Sequence, residues 1–223
     1  MRASLDTTPA INLSDHEIGG NQSSEITTAL GEAHGYPHRF PIEVADRPWQ
    51  RTVGNYQPIF FESERVIAMD SSKVSDGWAD PAGLTKDDFI RMKQEGKFFS
   101  YEGEVMLDPE SGMPLNPRGR TGISGRGLLG KWGANQAADA LVTRCNQESG
   151  EIEVLLIQRD CGKWAIPGGY IDSGETAYDA ALRELVQETG IKLSCCEGQL
   201  MYQGIGDGPR PTDNAWVETS LYH

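Results

Sequence analysis

Residues 168–191 carry acidic side chains at a spacing that could perform metal-dependent chemistry. The stretch reads GGYIDSGETAYDAALRELVQETGI, in which Glu184, Gln187 and Glu188 stand at positions i, i+3 and i+4. On an α-helix these positions share one face, so their side-chain oxygens can converge on one point. Converging hard oxygens are the ligands that Mg²⁺ and Mn²⁺ prefer. Acidic runs on helices are also typical of solvated surfaces, so the spacing alone leaves two interpretations open.

The helix that must position these side chains has clear boundaries in the sequence. Thr176 and Asp179 have the spacing of a capping box, and Gly190 suits the position that follows a helix. We therefore predict a helix over about residues 177–189. Its apolar residues gather on the side opposite the acids, where they can pack on a sheet: Tyr178, Ala181, Leu182, Leu185 and Val186.

Strands are predicted on both sides of this helix. Those before it are EIEVLLIQRD and KWAIPGG, and those after it are GQLMYQGI and AWVETSLYH. Strand, loop, helix and strand in this order predict an α/β domain whose helix packs on a sheet.

The N-terminal half is predicted to contain shorter elements. A short helix is expected in TKDDFIRMKQEG, with Thr85 and Asp88 forming its capping box. A strand or hairpin is expected in KFFSYEGEVML. The first residues, 1–38, are polar and rich in Ser, Thr, Asn and Gly, which predicts a mobile tail.

The composition limits the classes of protein to which the chain can belong. Its net charge is −13, so the surface would repel nucleic acids and anionic membranes. No apolar run approaches the length of a membrane-spanning helix, and the N-terminus has no apolar signal core. We therefore expect a cytoplasmic protein without nucleic-acid or membrane contacts. The cysteines form no CxxC pair, which favours reduced thiols over a zinc site: Cys145, Cys161, Cys195 and Cys196.

The whole pattern around the predicted helix resembles the Nudix box, GX5EX7REUXEEXGU, in which U is a bulky aliphatic residue. Many fixed positions at fixed spacings make this a specific motif. One position departs from it, because Gln187 replaces the first Glu of the EE pair, and the preceding WAIPGG is also usual in that family. The matching positions are Gly169, Glu175, Arg183, Glu184, Leu185, Glu188, Gly190 and Ile191.

A wider resemblance covers about residues 39–222. It is carried by RFPIEVADRPWQ, GRTGISGRGLLGKWGANQAAD, CGKWAIPGG and PRPTDNAWVET. These segments are similar to those of NUDT9-type ADP-ribose pyrophosphatases and of the NUDT9-homology domain of melastatin-type TRP channels.

The resemblance implies a fold and a domain organisation. We expect an α/β fold, the Nudix α/β/α sandwich with a mixed sheet, preceded by a smaller N-terminal lobe. The mobile polar tail would cover residues 1–38, the N-terminal lobe residues 39–120 and the Nudix domain residues 121–223. Because the chain ends inside a predicted strand, we expect the Nudix domain to be incomplete at its C-terminus.

The resemblance also implies metal-dependent hydrolysis of ADP-ribose to AMP and ribose 5-phosphate. Glu184 and Glu188 would be the principal ligands of Mg²⁺ or Mn²⁺, assisted by Gln187 and the backbone of Gly168. Two further residues of the catalytic set, Glu175 and Arg183, would orient Glu184. Since Gln187 offers an oxygen without a charge, we expect weaker binding of a second or third metal and reduced activity.

The candidates for binding the nucleotide-sugar substrate lie in the 204–216 loop and upstream of it. They are Asp207, Arg210, Asp213, Asn214 and Trp216, with Arg126 and Lys131 as weaker candidates. An ordinary turn would equally explain the Asp-Asn pair, and a core position would equally explain the tryptophan. Family members often have two consecutive acids where this chain has Asp207 followed by Gly208, which puts one substrate contact in question.

Three functional hypotheses follow. The first is an ADP-ribose diphosphatase, which the retained Arg183-Glu184-Leu185 favours. The second is a non-catalytic module that binds ADP-ribose as a sensor, which Gln187 and the incomplete C-terminus favour. The third is a Nudix hydrolase of another nucleoside diphosphate derivative, which the wider resemblance disfavours.

Overall fold

The computed structural model describes residues 35–159, 162–193 and 197–223. Most of the predicted tail and three cysteines (Cys161, Cys195 and Cys196) lie outside the described residues. Cys145 is an exposed free thiol. Across these three ranges, no helix is long and apolar enough to cross a membrane.

The secondary structure changes in character along the chain. The N-terminal part contains a 3-10 helix (Val44–Asp46), β1 (Ile59–Glu62), α1 (Glu64–Ala68) and α2 (Lys86–Gln94). The C-terminal part is dominated by strands and contains one long helix: β2 (Ile123–Gly127), β3 (Gly133–Ala140), β4 (Thr143–Cys145), β5 (Ile152–Val154), β6 (Ile157–Gln158), β7 (Trp164–Ala165), β8 (Gly168–Tyr170), α3 (Ala177–Thr189), β9 (Leu200–Ile205) and β10 (Ala215–Tyr222).

A mixed sheet with the strand order β8-β3-β10-β9 forms the centre of the C-terminal part. β10 runs parallel to β3 along its whole length and antiparallel to β9, and β3 runs antiparallel to β8. Two-stranded pairs accompany this sheet: β1 with β2, β4 with β5, and β6 with β7. The predicted α/β class with a mixed sheet is confirmed.

Helix α3 has the boundaries predicted from its capping signals. Thr176 is the N-cap and accepts a hydrogen bond from the backbone N–H of Asp179, and Gly190 ends the helix with a φ of 75°. Such a left-handed φ costs a glycine little, which explains the residue type at this end. The apolar face of α3 packs on the sheet in a cluster of small and aliphatic side chains: Ala138, Ala140, Ala180, Ala181 and Leu185.

The two faces of β10 have different surroundings. Trp216 and Glu218 are fully buried, and Trp216 packs with Phe98 and Val105 of the N-terminal part. Val217 and Thr219 point to the other face, where they line an open cleft. β10 therefore joins the N-terminal part on one face and builds the cleft on the other.

Helix α2 agrees with the prediction, whereas two predicted strands differ from the structure. The capped helix α2 has its capping box at Thr85 and Asp88. The strand or hairpin predicted over residues 97–107 is wrong, since only an isolated bridge from Leu107 to Pro114 is present there. The segment instead bends around the buried Glu218 carboxylate, which accepts hydrogen bonds from the Ser100 hydroxyl and the Tyr101 N–H.

The single strand predicted over residues 151–160 is also wrong in extent. It is divided into β5 and β6, which pair with different partners, β4 and β7. The division falls at Leu155, whose N–H binds the Val142 carbonyl and whose side chain packs against the cluster under α3. The partly buried Leu155 thus lies where the chain leaves one hairpin and enters the next.

Candidate active site

The cleft on the outer face of the sheet has a volume of about 870 Å³. It combines acidic, basic and glycine positions from β3, β8, the end of α3 and the loop after β9. The residues that matter for chemistry are Asp139, Arg159, Tyr170, Glu188, Arg210 and Thr219. Two guanidinium groups in one cleft are notable in a chain with 33 acidic and 20 basic side chains, because they offer sites for phosphate.

Arg183 is the centre of the polar network at the start of α3. Its Nε and Nη2 donate to the two carboxylate oxygens of Glu175, each at 2.9 Å, and Nη2 also donates to the Tyr170 carbonyl at 2.9 Å. The hydrogen bonds from Arg183 hold the pKa of Glu175 below its ordinary value. This bidentate contact fixes the loop before α3 against the helix.

The same guanidinium reaches two oxygens of the acidic face. Arg183 Nη1 donates to Glu184 Oε1 at 2.6 Å and to Gln187 Oε1 at 3.2 Å. The Gln187 oxygen, which the sequence offered as a metal ligand, is thus directed to Arg183. Glu184 keeps its second carboxylate oxygen, so Arg183 orients Glu184 without using all of its acceptor capacity.

The carboxylates of Glu184 and Glu188 contact strand β8 at Gly168 and Gly169. The Gly168 N–H donates to Glu188 Oε2 at 3.0 Å. A Cβ added to Gly169 would lie 2.3 Å from Glu184 Oε1, so the carboxylate occupies the space that any side chain would need. The absence of side chains therefore lets both helix acids approach the edge strand.

Replacing Gly169 with alanine is expected to displace Glu184 and weaken binding of a divalent cation by at least about tenfold, the usual effect of disturbing a metal site's support. The measurement is a titration of each protein with Mn²⁺, with the heat of binding recorded by calorimetry. Gly54→Ala is the matched control, because a Cβ there meets no atom within 4 Å. Unchanged Mn²⁺ affinity in Gly169→Ala would show that the position of Glu184 against this glycine is unimportant.

Asp139 is a residue of the cleft that the sequence analysis missed. Its Oδ2 accepts a hydrogen bond from Thr219 Oγ1 at 2.6 Å. Burial raises the pKa of Asp139, and the Glu184 carboxylate adds to that rise. The only signal in the sequence is an aspartate among alanines in the strand GANQAADA, and pairing with Gly168 becomes visible only in the sheet register.

Two of the predicted substrate-binding residues lie at the cleft. Arg210 Nη1 donates to the Tyr170 hydroxyl at 3.2 Å, and its guanidinium lies 5.9 Å from that ring's centre. The carbonyl of Arg210 accepts a hydrogen bond from the Tyr36 hydroxyl at 2.7 Å, which fixes the loop from the N-terminal side. Asp207 is exposed and lies 3.5 Å from Arg118.

The structure does not bring the other predicted substrate residues into the cleft. Asp213 accepts hydrogen bonds from the Tyr56 and Thr121 hydroxyls, and burial raises its pKa. Asn214 bonds to the backbone of residues 114 and 125, and Trp216 Nε1 donates to Glu218 at 2.7 Å. These buried side chains hold the loop to the N-terminal part, as the turn and core alternatives anticipated.

Arg126 is buried on the N-terminal side as well. Its Nε donates to Glu62 Oε1 at 2.6 Å, and its Nη2 lies 2.5 Å from the same oxygen in an ion pair. Its Nη1 donates to the Gly130 carbonyl at 3.1 Å. Lys131 lies nearby at the surface, 3.2 Å from Asp80. Both cations therefore have protein partners away from the cleft.

The donors around Gly168 and Gly169 fit a hard divalent cation. Glu184, Glu188 and Asp139 bring carboxylate oxygens to these glycines. In the part of the chain that the structure describes, no three His, Cys, Asp or Glu side chains are grouped closely enough to hold a metal ion. Mg²⁺ seldom needs such a cage, since it keeps several waters and binds through one or two carboxylates plus substrate phosphates. The site thus fits a divalent cation that keeps several of its waters.

Two family models match successive segments of the chain. Residues 42–133 match the model described as NUDT9-like, N-terminal domain, and residues 134–222 match the NUDIX domain. The first match includes β2, which pairs with β1, and the second includes the sheet, α3 and the cleft.

Comparison with curated proteins gives relatives of three kinds. "Putative nudix hydrolase 6" of Caenorhabditis elegans is 45% identical, over 56% of this chain and 51% of the relative. "ADP-ribose pyrophosphatase, mitochondrial" of Rattus norvegicus is 34% identical, over 78% of this chain and 57% of the relative. "Transient receptor potential cation channel subfamily M member 2" of Mus musculus is 34% identical, over 81% of this chain and 12% of the relative. The chain thus spans about half the length of the first two.

Proposed function

The chain belongs to the Nudix family and carries a NUDT9-like N-terminal domain, and on this premise we propose that it hydrolyses the diphosphate of ADP-ribose. Water would attack one phosphorus, the bond from that phosphorus to the bridging oxygen would break, and AMP and ribose 5-phosphate would leave. The observation that carries the proposal is the convergence of Glu184 and Glu188 on Gly168 and Gly169 beside a cleft with two guanidinium groups.

Each group at the site has a place in this reaction. Glu184 and Glu188 would hold Mg²⁺ or Mn²⁺, with Arg183 and Glu175 keeping Glu184 in position through their hydrogen bonds. A divalent cation bound there would neutralise the diphosphate and ease deprotonation of the attacking water. Arg210 lies at the cleft, where its guanidinium can donate two parallel hydrogen bonds to a phosphate.

The choice of ADP-ribose among nucleoside diphosphate derivatives is supported by similarity outside the Nudix box. The rat relative is called an ADP-ribose pyrophosphatase, and its match extends over 209 residues. Because the match covers 78% of this chain, it includes Tyr56 of the N-terminal part, whose hydroxyl donates to Asp213 in the loop after β9. A hydrolase for an unrelated diphosphate would not need this part to be similar.

The proposal is tested by incubating the purified protein with ADP-ribose and either Mg²⁺ or Mn²⁺. Chromatography should show AMP and ribose 5-phosphate appearing in equal amounts, and chelation of the metal should stop their appearance. ADP-glucose and diadenosine tetraphosphate serve as competing substrates for the same assay. Faster hydrolysis of either one would overturn the choice of ADP-ribose while leaving a Nudix hydrolase.

A second candidate function is binding of ADP-ribose without turnover. It is favoured by Gln187, whose amide oxygen is held by Arg183 and carries no charge, and by the similarity to the channel from mouse. Calorimetry with ADP-ribose distinguishes the two functions. Saturable binding with no AMP after prolonged incubation would establish the sensor and refute the hydrolase.

A further inference from the structure

Asp139 is an acid of the cleft that takes no part in the Nudix-box pattern. Its Oδ2 is held by the Thr219 hydroxyl at 2.6 Å. Among the described residues, no donor forms a hydrogen bond with its Oδ1. That oxygen lies 1.9 Å from the place where a Cβ of Gly168 would stand, so the carboxylate rests directly against this glycine.

Asp139 and Glu184 approach the two glycines from opposite faces of β8. In the register of β3 and β8, Asp139 pairs with Gly168 and Ala138 pairs with Gly169. Paired residues of an antiparallel ladder share a face, so the missing side chain of Gly168 leaves room for Asp139. The missing side chain of Gly169 leaves room for Glu184 on the α3 face.

The cleft face is the one on which a substrate would lie. Asp139 lines it together with Glu188, whose Oε2 reaches the Gly168 N–H at 3.0 Å. The free oxygen of Asp139 and the Glu188 carboxylate therefore both flank Gly168. A hydrated cation held by Glu188 could direct one of its waters toward Asp139.

A purely structural role explains Asp139 poorly. Accepting one hydrogen bond from Thr219 requires only a neutral oxygen, which an asparagine would supply. Thr219 occupies only one of the two carboxylate oxygens, so the other has acceptor capacity left for a ligand in the cleft.

We propose that Asp139 is a further acid of the cation site, whose Oδ1 accepts a hydrogen bond from a water of bound Mg²⁺ or Mn²⁺. It supplies from the sheet the negative charge that Gln187 does not supply from the helix. The proposal rests on the proposed function, because it requires that Glu184 and Glu188 hold a divalent cation. It also accounts for the lack of a compact three-acid cage among the described residues, since Asp139 acts through water.

The test measures binding of Mn²⁺ alone, by calorimetry and by the electron paramagnetic resonance signal of free Mn²⁺. Asp139→Asn keeps the shape and the Thr219 contact and removes the charge. We expect its Mn²⁺ affinity to fall about tenfold, the lower end of the effect of removing a group that supports a metal ligand shell. The melting temperature of Asp139→Asn should not fall, because the substitution removes the repulsion between the Asp139 and Glu184 carboxylates.

Two further variants make the result decisive. Asp76→Asn is the control for net charge, since Asp76 is an exposed acid of the N-terminal part, and it should bind Mn²⁺ as the unmodified protein does. Thr219→Val frees the Asp139 carboxylate without removing its charge, so its affinity should lie between those of the unmodified protein and Asp139→Asn.

The outcomes separate this inference from the proposed function. If Glu188→Gln abolishes Mn²⁺ binding and Asp139→Asn retains full affinity, the role of Asp139 is refuted and the cation site stands. If the unmodified protein does not bind Mn²⁺, both proposals fail. If Asp139→Asn loses Mn²⁺ affinity and its melting temperature falls as well, Asp139 is a structural residue and the inference is wrong.

Discussion

Glu188→Gln is expected to slow hydrolysis of ADP-ribose about a thousandfold, which corresponds to about 4 kcal/mol of transition-state stabilisation. The amide replaces a carboxylate that lines the cleft and touches the Gly168 N–H at 3.0 Å. It can still accept that hydrogen bond, so the fold should be retained. What is lost is one negative charge at the place where a divalent cation would meet the diphosphate.

The measurement is the rate of AMP formation at saturating ADP-ribose and Mg²⁺, together with a thermal melt. Glu148→Gln is the matched control, because Glu148 is an exposed acid in the turn between β4 and β5. Its rate should equal that of the unmodified protein. Turnover by Glu188→Gln within tenfold of that rate would contradict the assignment of Glu188 as a cation ligand.

The second large effect is expected on stability, from Arg126→Met. Arg126 is fully buried and pairs with Glu62, whose side chain is 8% exposed. Removing one partner leaves a buried charge without compensation, which costs about 3–5 kcal/mol. For a chain of this size, the melting temperature should fall by on the order of 10 °C.

A double variant and a cleft variant test the reason for this loss. Arg126→Met combined with Glu62→Leu should recover much of the stability, since the lone charge is then removed. Arg210→Met should leave the melting temperature nearly unchanged and weaken binding of ADP-ribose. If Arg126→Met instead melts normally but no longer binds ADP-ribose, Arg126 is a substrate residue, as its position in the sequence first indicated.

Signals that act over a few residues predicted the helix and its surroundings well. Thr176, Asp179 and Gly190 determine where α3 begins and ends, because a cap binds backbone groups of the adjacent turn. Glu175 and Arg183 also contact each other, within one loop and the helix that follows it. Such contacts need no knowledge of the rest of the fold.

Contacts across the sheet and between distant segments could not be predicted in the same way. Arg126 is a candidate substrate residue in the sequence, yet its partner Glu62 comes 64 residues earlier. Asp139 meets Gly168 only through the register of β3 and β8. Neither the burial of a charge nor the pairing of two strands is visible in local composition.

The two faces of β10 make the site depend on the register of a single strand. Side chains alternate between faces along a strand, so a slip of one residue exchanges the whole set. In the native register, Glu218 is enclosed by Ser100 and Trp216, and Thr219 reaches Asp139. A one-residue slip would turn the enclosed carboxylate of Glu218 into the cleft, toward the proposed diphosphate, and would turn Thr219 away from Asp139. Correct pairing of β10 with β3 is therefore as necessary for cation and phosphate chemistry as the acids of the helix themselves.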